Sequence, residues 1–410
     1  MAKYRYDKKA LKEIGVGGIF KFLGEVKERN SKIEDAADDM PKSWYQPNEL
    51  GRRLHPKMQF AKVSKIEDHG DAKSFTLIPD VEKGTKELAY FRAGHYVSIA
   101  LEIDGATVCK PYTLCSGPKS SLGTENNSYT LTIKHTSNGF ASEYILSNWE
   151  VGTEVLLSGP LGNFYYTALR DAVHVVAIAG GSGITPFCSM AAAIADGIED
   201  FNLTILYGSR TAKTILLKDE LKKIASRSNG KVKIVHFLSD EEVDGFEHGF
   251  ITAESIKKYA PKGDYSVFMC GPKAMYQFME TEIEKLSLPK RRLRIELSGE
   301  FGNPAQDPSY PKDAAGKVYN VTVRIRDREE KISCKAEQTL LQAMELAGIH
   351  APSDCRSGEC GWCHSLLVSG DVFIPASRDG RRMADEKFGW VHPCSTYPLS
   401  DVVLDVPTLE

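Results

Sequence analysis

Four cysteines in the last sixth of the chain constrain what it can fold into more than any other feature. Cys355, Cys360 and Cys363 lie in the run Asp354-Cys355-Arg356-Ser357-Gly358-Glu359-Cys360-Gly361-Trp362-Cys363, and Cys394 follows 31 residues later in His392-Pro393-Cys394. A C-x4-C-x2-C run with a distant fourth cysteine is the ligand set of a plant-type [2Fe-2S] cluster: three thiolates on one loop wrapped round the irons, the fourth from a separate element. Small residues such as Ser357, Gly358 and Gly361 let the backbone close tightly and aim amide donors at the sulfides. Zinc sites usually pair two C-x2-C knuckles, which makes zinc, like a set of free core cysteines, the lesser reading. The spacing therefore predicts Cys355, Cys360, Cys363 and Cys394 as iron ligands and leaves Cys334 out.

At 410 residues the chain has room for about three domains. A net charge of -3 excludes a broadly basic nucleic-acid surface. The acidity sits with the cluster, because residues 318–410 carry 10 Lys and Arg against 14 Asp and Glu. The other five cysteines, Cys109, Cys115, Cys188, Cys270 and Cys334, are odd in number and scattered, which is no disulfide framework. No segment approaches the roughly 18 apolar residues a spanning helix needs, and the N-terminus leads into no long apolar stretch. A reducing cytoplasm, with no membrane span and no nucleic-acid partner, is the expectation.

Residues 1–54 form an extension in which Leu11, Ile14, Ile19, Phe22, Leu23 and Val26 share a weak helical face interrupted by Gly15, Gly17 and Gly18. An arm packed on its own protein is the expected role. Over 55–167 the period becomes two: Val97, Ile99, Leu101 and Ile103 alternate, as do Tyr129, Leu131 and Ile133, and an antiparallel β-barrel is predicted. Over 168–300, apolar runs such as Val173–Ala179, Leu203–Tyr207, Val232–Leu238 and Val267–Cys270 alternate with segments of helical length. That is the pattern of an α/β nucleotide-binding domain with a parallel sheet. Residues 301–317, marked by Pro304, Pro308 and Pro311, read as a linker. In 318–410, Val321, Val323 and Ile325 form a strand, and a short helix over Leu340–Gly348 delivers the chain to the cluster loop.

Two stretches in the barrel suit a flavin. Lys110-Pro111-Tyr112-Thr113 offers a cation for a phosphate, a ring to stack on a flat heterocycle and a hydroxyl for a ring nitrogen. Downstream, Gly139 and Ser142 lie in a segment that opens a helix, whose free amides can hold flavin phosphates. Either stretch alone is also explained by a strand with a turn. In the α/β domain, Gly180-Gly181-Ser182-Gly183-Ile184-Thr185-Pro186 joins a buried strand to a helix, where a dinucleotide pyrophosphate can approach the backbone. Cys270-Gly271-Pro272 ends a later strand, placing Cys270 beside a nicotinamide ring or, on the plainer reading, in the core.

With these motifs in this order the chain resembles the ferredoxin-NADP reductase superfamily, in the branch with a C-terminal plant-type ferredoxin domain, as in phthalate dioxygenase reductase and the reductase of phenylacetyl-CoA epoxidase. Lys110 to Thr113 matches the family's Arg-x-Tyr-Ser/Thr flavin motif, and Gly139 to Ser142 its phosphate-binding Gly-x-x-Ser/Thr. Gly180 to Pro186 matches its pyridine-nucleotide loop, with Gly180, Gly181, Gly183 and Thr185 at the nucleotide, and Cys270 to Pro272 its nicotinamide-side motif. The resemblance covers residues 56–410 and implies a β-grasp (α+β) ferredoxin fold for the last domain. Two positions depart from the pattern. Lys110 replaces an arginine fork by a point charge, which leaves FMN as an alternative to FAD. Glu296 stands in Ile295-Glu296-Leu297-Ser298 without the family's following phenylalanine and reads as a surface carboxylate.

The resemblance implies an NAD(P)H:acceptor oxidoreductase. A hydride would pass to flavin held by Tyr112 and Thr113, with Cys270 at the nicotinamide, and single electrons would pass to the cluster and on to a protein acceptor, an oxygenase component. The alternatives are an anaerobic acceptor such as a hybrid-cluster protein, or a non-catalytic iron-sulfur nucleotide sensor. Ser209, Arg210 and Lys213 form a loop with no carboxylate before Asp219. A basic loop at the adenosine ribose favours a 2′-phosphate, so NADPH is expected over NADH.

Overall fold

The computed structural model describes residues 15–35, 46–103, 105–123, 126–136, 140–296, 299 and 301–407. The chain divides into two compact units, Met1–Arg53 and Leu54–Glu410. The first holds α1 (Val16–Glu34) and most of α2 (Gln46–Leu54). Helix α1 runs through Gly17 and Gly18, which were expected to interrupt it, and Phe20, Leu23, Val26 and Ile33 are exposed along it. Leu11 and Ile14 of the expected apolar face lie outside the described residues.

In the second unit, β1 (Met58–Asp68), β2 (Ala72–Pro79), β3 (Tyr96–Ile103), β4 (Ala106–Thr113), β5 (Tyr129–Lys134) and β6 (Glu154–Ser158) form one antiparallel sheet in the order β4-β3-β6-β1-β2-β5. A bridge between Leu114 and Leu131, with the Cys115 amide donating to the Thr130 carbonyl at 2.8 Å, brings the two edges together and curls the sheet into a barrel. Strand alternation sends Val97, Ile99, Leu101, Leu131, Ile133, Phe75 and Leu77 inward, where Phe75 meets Trp149 edge-on at 5.3 Å. Helix α3 (Phe140–Asn148) follows β5 and buries Ala141 and Ile145 in the same core.

A second sheet contains β7 (His174–Gly180), β8 (Asn202–Ser209), β9 (Val232–Leu238), β10 (Glu247–His248), β11 (Ser266–Cys270) and β12 (Leu293–Glu296), all parallel in the order β10-β9-β8-β7-β11-β12. Its helices are α4 (Thr185–Ala195), α5 (Lys218–Arg227), α6 (Ala253–Tyr259) and α7 (Lys273–Glu284). Strand β7 shows why its sequence is uninterruptedly apolar. Val175, Ala177 and Ala179 face a core shared with α4 and α5, while Val176 and Ile178 face a second core shared with α6 and α7. The strand order reverses between β7 and β11, and ligands of open α/β sheets bind beyond the carboxyl ends at such a reversal. Here those ends are Gly180 and Cys270.

The last sheet comprises β13 (Val318–Ile325), β14 (Arg328–Lys335), β15 (Ser365–Ser369), β17 (Trp390–Val391) and β19 (Val402–Asp405), in the order β14-β13-β19-β15-β17, while β16 (Val372–Phe373) pairs with β18 (Tyr397–Pro398). Helix α8 (Leu340–Leu346) packs Leu340, Leu341 and Met344 onto Val321, Val323 and Leu404. Thr339 starts it, its hydroxyl accepting from the Gln342 amide at 3.1 Å in a capping box. A short α9 (Met383–Lys387) precedes β17. The segment 301–317, expected to be a loose linker, is packed. Pro304, Tyr310 and Ala314 are buried, and the Tyr310 hydroxyl donates to the Ala336 carbonyl at 3.1 Å with its ring edge-on to Phe373. Prolines restrict the backbone there without preventing an aromatic anchor from docking.

Two partly buried histidines predict how stability responds to acid. Burial holds His95 and His236 down at about 4, helped by Arg92 and His55 for the first and Lys218 for the second. Unfolded, both would bind protons nearer 6.5, so between about 4 and 6.5 the unfolded chain takes up more protons and stability rises with pH. The thermal midpoint should fall as pH drops through that window, and less steeply in a His95→Gln/His236→Gln double variant; an identical slope in the two proteins would contradict the assignment.

Candidate functional site

At the switch point the glycine loop and the Cys-Gly-Pro turn are pressed together, and the three loop glycines do different things. A Cβ on Gly183 would lie 2.2 Å from the Cys270 carbonyl oxygen, and one on Gly180 would lie 2.8 Å from Pro272 Cδ and Met275 Sδ. These two are glycine because the turn leaves no room. Gly181 has φ +53° with open space where a Cβ would stand, so of the three it is the one whose glycine answers to backbone conformation rather than to packing. Thr185, expected as a nucleotide contact, is buried and donates its hydroxyl to the Ser182 carbonyl at 3.0 Å, which fixes the loop from within. Cys270 is buried at the floor of the crevice, and burial pushes its thiol well up, with the charge of Glu296 adding.

Sequence reasoning missed Tyr276. Its hydroxyl accepts from the Gly271 amide at 3.0 Å and donates to the Glu296 carbonyl, tying the turn to the end of β12. Glu296, read from the sequence as a surface carboxylate, is half-buried. Burial, then the charges of Glu359 and Cys355, push its carboxyl up to about 8, because β12 ends where the cluster loop meets the crevice.

Strand β4 presents Lys110, Pro111, Tyr112 and Thr113 opposite Ile99, Ser98, Val97 and Tyr96 of β3. Alternation puts Lys110 and Tyr112 on one face, both half-buried, and burial alone holds the Tyr112 phenol up. Ser142 sits buried in the first turn of α3. Gly139 lies outside the described residues. Beside β3, Gly162 has φ +109°, and a Cβ there would touch the Tyr96 ring at 3.0 Å. A half-buried cation and aromatic ring on β4 and a buried hydroxyl in the first turn of α3 are a donor set that fits a flavin.

The cluster loop is folded for sulfur ligation. Cys355 Sγ accepts from the amides of Ser357 and Cys360, each at 3.4 Å, and Cys360 Sγ accepts from the Trp362 amide at 3.4 Å. Cys363 Sγ stands 3.4 Å from Cys394 Sγ. Gly358 has φ +85°, and a Cβ on it would lie 2.1 Å from the Arg378 carbonyl oxygen, so the loop closes only with glycine there. His392 meets the Gly358 carbonyl at 2.6 Å and holds the fourth cysteine against the loop. Cys334 points elsewhere, its thiol 3.5 Å from the Gln338 carbonyl. Four converging thiols with amides aimed at sulfur fit a two-iron cluster. Cys360 and Trp362 are exposed.

The ribose loop differs from expectation. Ser209 ends β8 and Arg210 follows, but β9 runs parallel beside β8 and delivers two carboxylates that the linear sequence hides. Arg210 Nε donates to Asp240 Oδ2 at 2.8 Å, and the Ala212 amide donates to Glu241. The loop is therefore mixed in charge.

Three family models match in chain order: an oxidoreductase FAD-binding domain over 64–166, an oxidoreductase NAD-binding domain over 177–281 and a 2Fe-2S iron-sulfur cluster binding domain over 323–399. Together they define an iron-sulfur flavoprotein oxidoreductase. Within that class the chain carries the domain order expected of the ferredoxin-NADP reductase branch with a C-terminal [2Fe-2S] domain, which it resembles. It is 28% identical to the 3-ketosteroid-9-alpha-monooxygenase ferredoxin reductase component of Mycobacterium tuberculosis, over 85% of this chain and 94% of that protein. It is 26% identical to a 1,2-phenylacetyl-CoA epoxidase component of Escherichia coli, over 84% of this chain and 96% of that one. Its fold resembles that of phthalate dioxygenase reductase, with a TM-score of 0.59 and 23% identity over 88% of this chain and 99% of that one. Among the described residues no helix is long and apolar enough to cross a membrane.

Proposed function

We propose that this chain is the cytoplasmic reductase component of an oxygenase, drawing on NADPH and feeding a partner protein one electron at a time. The observation that carries the proposal is convergence. Glu296 acts on Cys270 at the end of the nucleotide crevice, on Tyr96 of β3 and, in turn, feels the charges of the cluster loop, and that loop is bonded directly to β3 through Ser98 and Asp354. When bound, the flavin takes a hydride from the nucleotide and the cluster stores single electrons, so the pair divides a two-electron donor into one-electron steps.

We take 55–167, 168–300 and 318–410 as the working domains. The chain's own residues set the geometry in each. Gly181 admits the pyrophosphate to the backbone while Gly180 and Gly183 hold loop and turn together, and the turn Cys270-Gly271-Pro272 borders the nicotinamide. Lys110 and Ser142 hold flavin phosphate, and Tyr112 and Thr113 hold its ring. Cys355, Cys360, Cys363 and Cys394 ligate the irons. Trp362, 58% exposed between two of these cysteines, offers the acceptor an apolar contact. Names of relatives point to oxygenases as acceptors. Reconstitution with an oxygenase component of the kind its relatives serve should give product that depends on NADPH and on this protein; failure to reduce any such component would contradict the proposal.

Selectivity for NADPH rests on Arg210, whose side chain is 82% exposed although paired with Asp240. An ion pair this exposed is weakened by solvent screening, which leaves a 2′-phosphate free to displace the carboxylate. Asp240→Asn should raise the NADPH/NADH ratio of kcat/KM by about 3- to 5-fold, and Arg210→Ala should lower it by about 10-fold or more. A ratio unmoved by both changes would overturn the preference.

A further inference from the structure

The residues on either side of the first cluster cysteine make bonds that reach out of the ferredoxin domain to the barrel strands. Asp354 accepts from the Ser98 hydroxyl of β3, and the same hydroxyl lies 3.2 Å from the Asp354 carbonyl. Arg356 is 1% exposed, among the largest fully buried side chains of the protein, and its backbone is left-handed at φ +55°. For a long L-residue that conformation is strained and persists only where side-chain contacts hold it. The contacts are present. The guanidinium meets Glu345 of α8 through both nitrogens, at 2.5 and 2.8 Å, and Nη1 also donates to the Cys109 carbonyl of β4 at 3.1 Å. Glu345 is itself 5% exposed.

Strand register makes this arrangement specific. Ser98 pairs with Pro111, and Ala100 with Cys109, so the two bonds grip adjacent strands within the segment that carries Lys110, Tyr112 and Thr113. Cys355 lies between the two grips. A buried ion pair gains little net stability, because desolvating two charges offsets their attraction, but one that is bidentate and fully bonded fixes geometry. The proposed function needs the cluster to stay in one place relative to the flavin strands, and these two bonds tie the loop that carries it to both of them.

We infer that Asp354 and Arg356, with Glu345 behind Arg356 and Ser98 on the flavin side, form an interdomain clamp that seats the cluster loop on β3 and β4 and sets how fast electrons cross from flavin to cluster. The inference deepens the reductase reading and rests on it. All four are positioning residues.

The test uses the full-length holoprotein and two variants that spare the iron ligands, Ser98→Ala and Glu345→Gln. NADPH turnover is measured with ferricyanide, which takes electrons from flavin, and with cytochrome c, which takes them from the cluster. Iron content, the EPR signal of the dithionite-reduced cluster and amide hydrogen exchange over 106–113 and 353–357 are measured alongside. The clamp predicts wild-type iron, EPR signal and ferricyanide turnover, faster exchange at both segments and cytochrome c reduction slowed by about 10-fold or more. Should Glu345→Gln fail to fold, Ser98→Ala alone decides, since removing one hydroxyl from β3 leaves the barrel core untouched. Unchanged cytochrome c reduction in the folded variants would overturn the clamp, as would equal slowing with both acceptors. A wild-type protein without ferricyanide turnover would instead overturn the reductase reading beneath it.

Discussion

Cys394→Ser is expected to leave a folded protein that still oxidises NADPH with ferricyanide but has lost its cluster. Cys394 is buried and its Sγ stands 3.4 Å from Cys363, on an element separate from the loop that carries the other three ligands. A serine hydroxyl is a poor replacement for a thiolate at iron, and Cys334 is turned away toward Gln338. Iron, sulfide and the low-temperature EPR signal should fall together, and cytochrome c reduction should drop on the order of 100-fold. Ferricyanide turnover should stay within about twofold, because Gly181, Tyr112 and their neighbours lie on other sheets. Cys334→Ser should retain the full signal. A full signal in Cys394→Ser would remove the ligand assignment.

Gly183→Ala should fail in the opposite way, losing both activities while keeping the cluster. The added Cβ would sit 2.2 Å from the Cys270 carbonyl oxygen and 2.7 Å from Gly271 Cα, and backbone atoms cannot swing aside as the end of a flexible side chain can. Either the glycine loop or the Cys-Gly-Pro turn must move, and both border the proposed nicotinamide site. A displacement of about 1 Å at a site that aligns reacting atoms costs on the order of 100-fold, so kcat/KM for NADPH should fall by that factor with either acceptor. The dithionite-reduced EPR signal should be unaltered. Gly181→Ala makes the contrast. It has open space and meets only the strain of its positive φ, about 1 kcal/mol, so its loss should be nearer 5-fold. Equal losses at the two glycines would show that packing against the turn is not what Gly183 provides.

What the sequence made legible was local. Cys355, Cys360 and Cys363 announce a cluster because ligand spacing on one loop is written in consecutive residues, and Lys110 to Thr113 likewise fits on four positions of a single strand. Interactions assembled by the fold were hidden. Nothing in the linear sequence marks Arg356 as buried and paired, since its partners Glu345 and Cys109 lie 11 and 247 residues away. Asp240 became a neighbour of Arg210 only through parallel pairing of β8 with β9, so the carboxylate-free loop of the linear sequence is not the loop in space. The glycines were ambiguous for another reason. Close packing and a left-handed turn call for the same residue, and only the surroundings of Gly180, Gly181 and Gly183 separate the two uses. The proline-marked segment 301–317 misled because low apolar content says nothing about a single well-placed anchor such as Tyr310.

The central claim is a linear order, from NADPH to flavin to cluster. Anaerobic rapid mixing of the protein with NADPH, with flavin absorbance followed optically and the reduced cluster by freeze-quench EPR, tests it most directly, provided the same mixing is done on protein stripped of flavin. The account predicts flavin bleaching before the cluster signal in the complete protein, and no cluster signal on the same timescale without flavin. A cluster reduced at an undiminished rate in the flavin-free protein would contradict it.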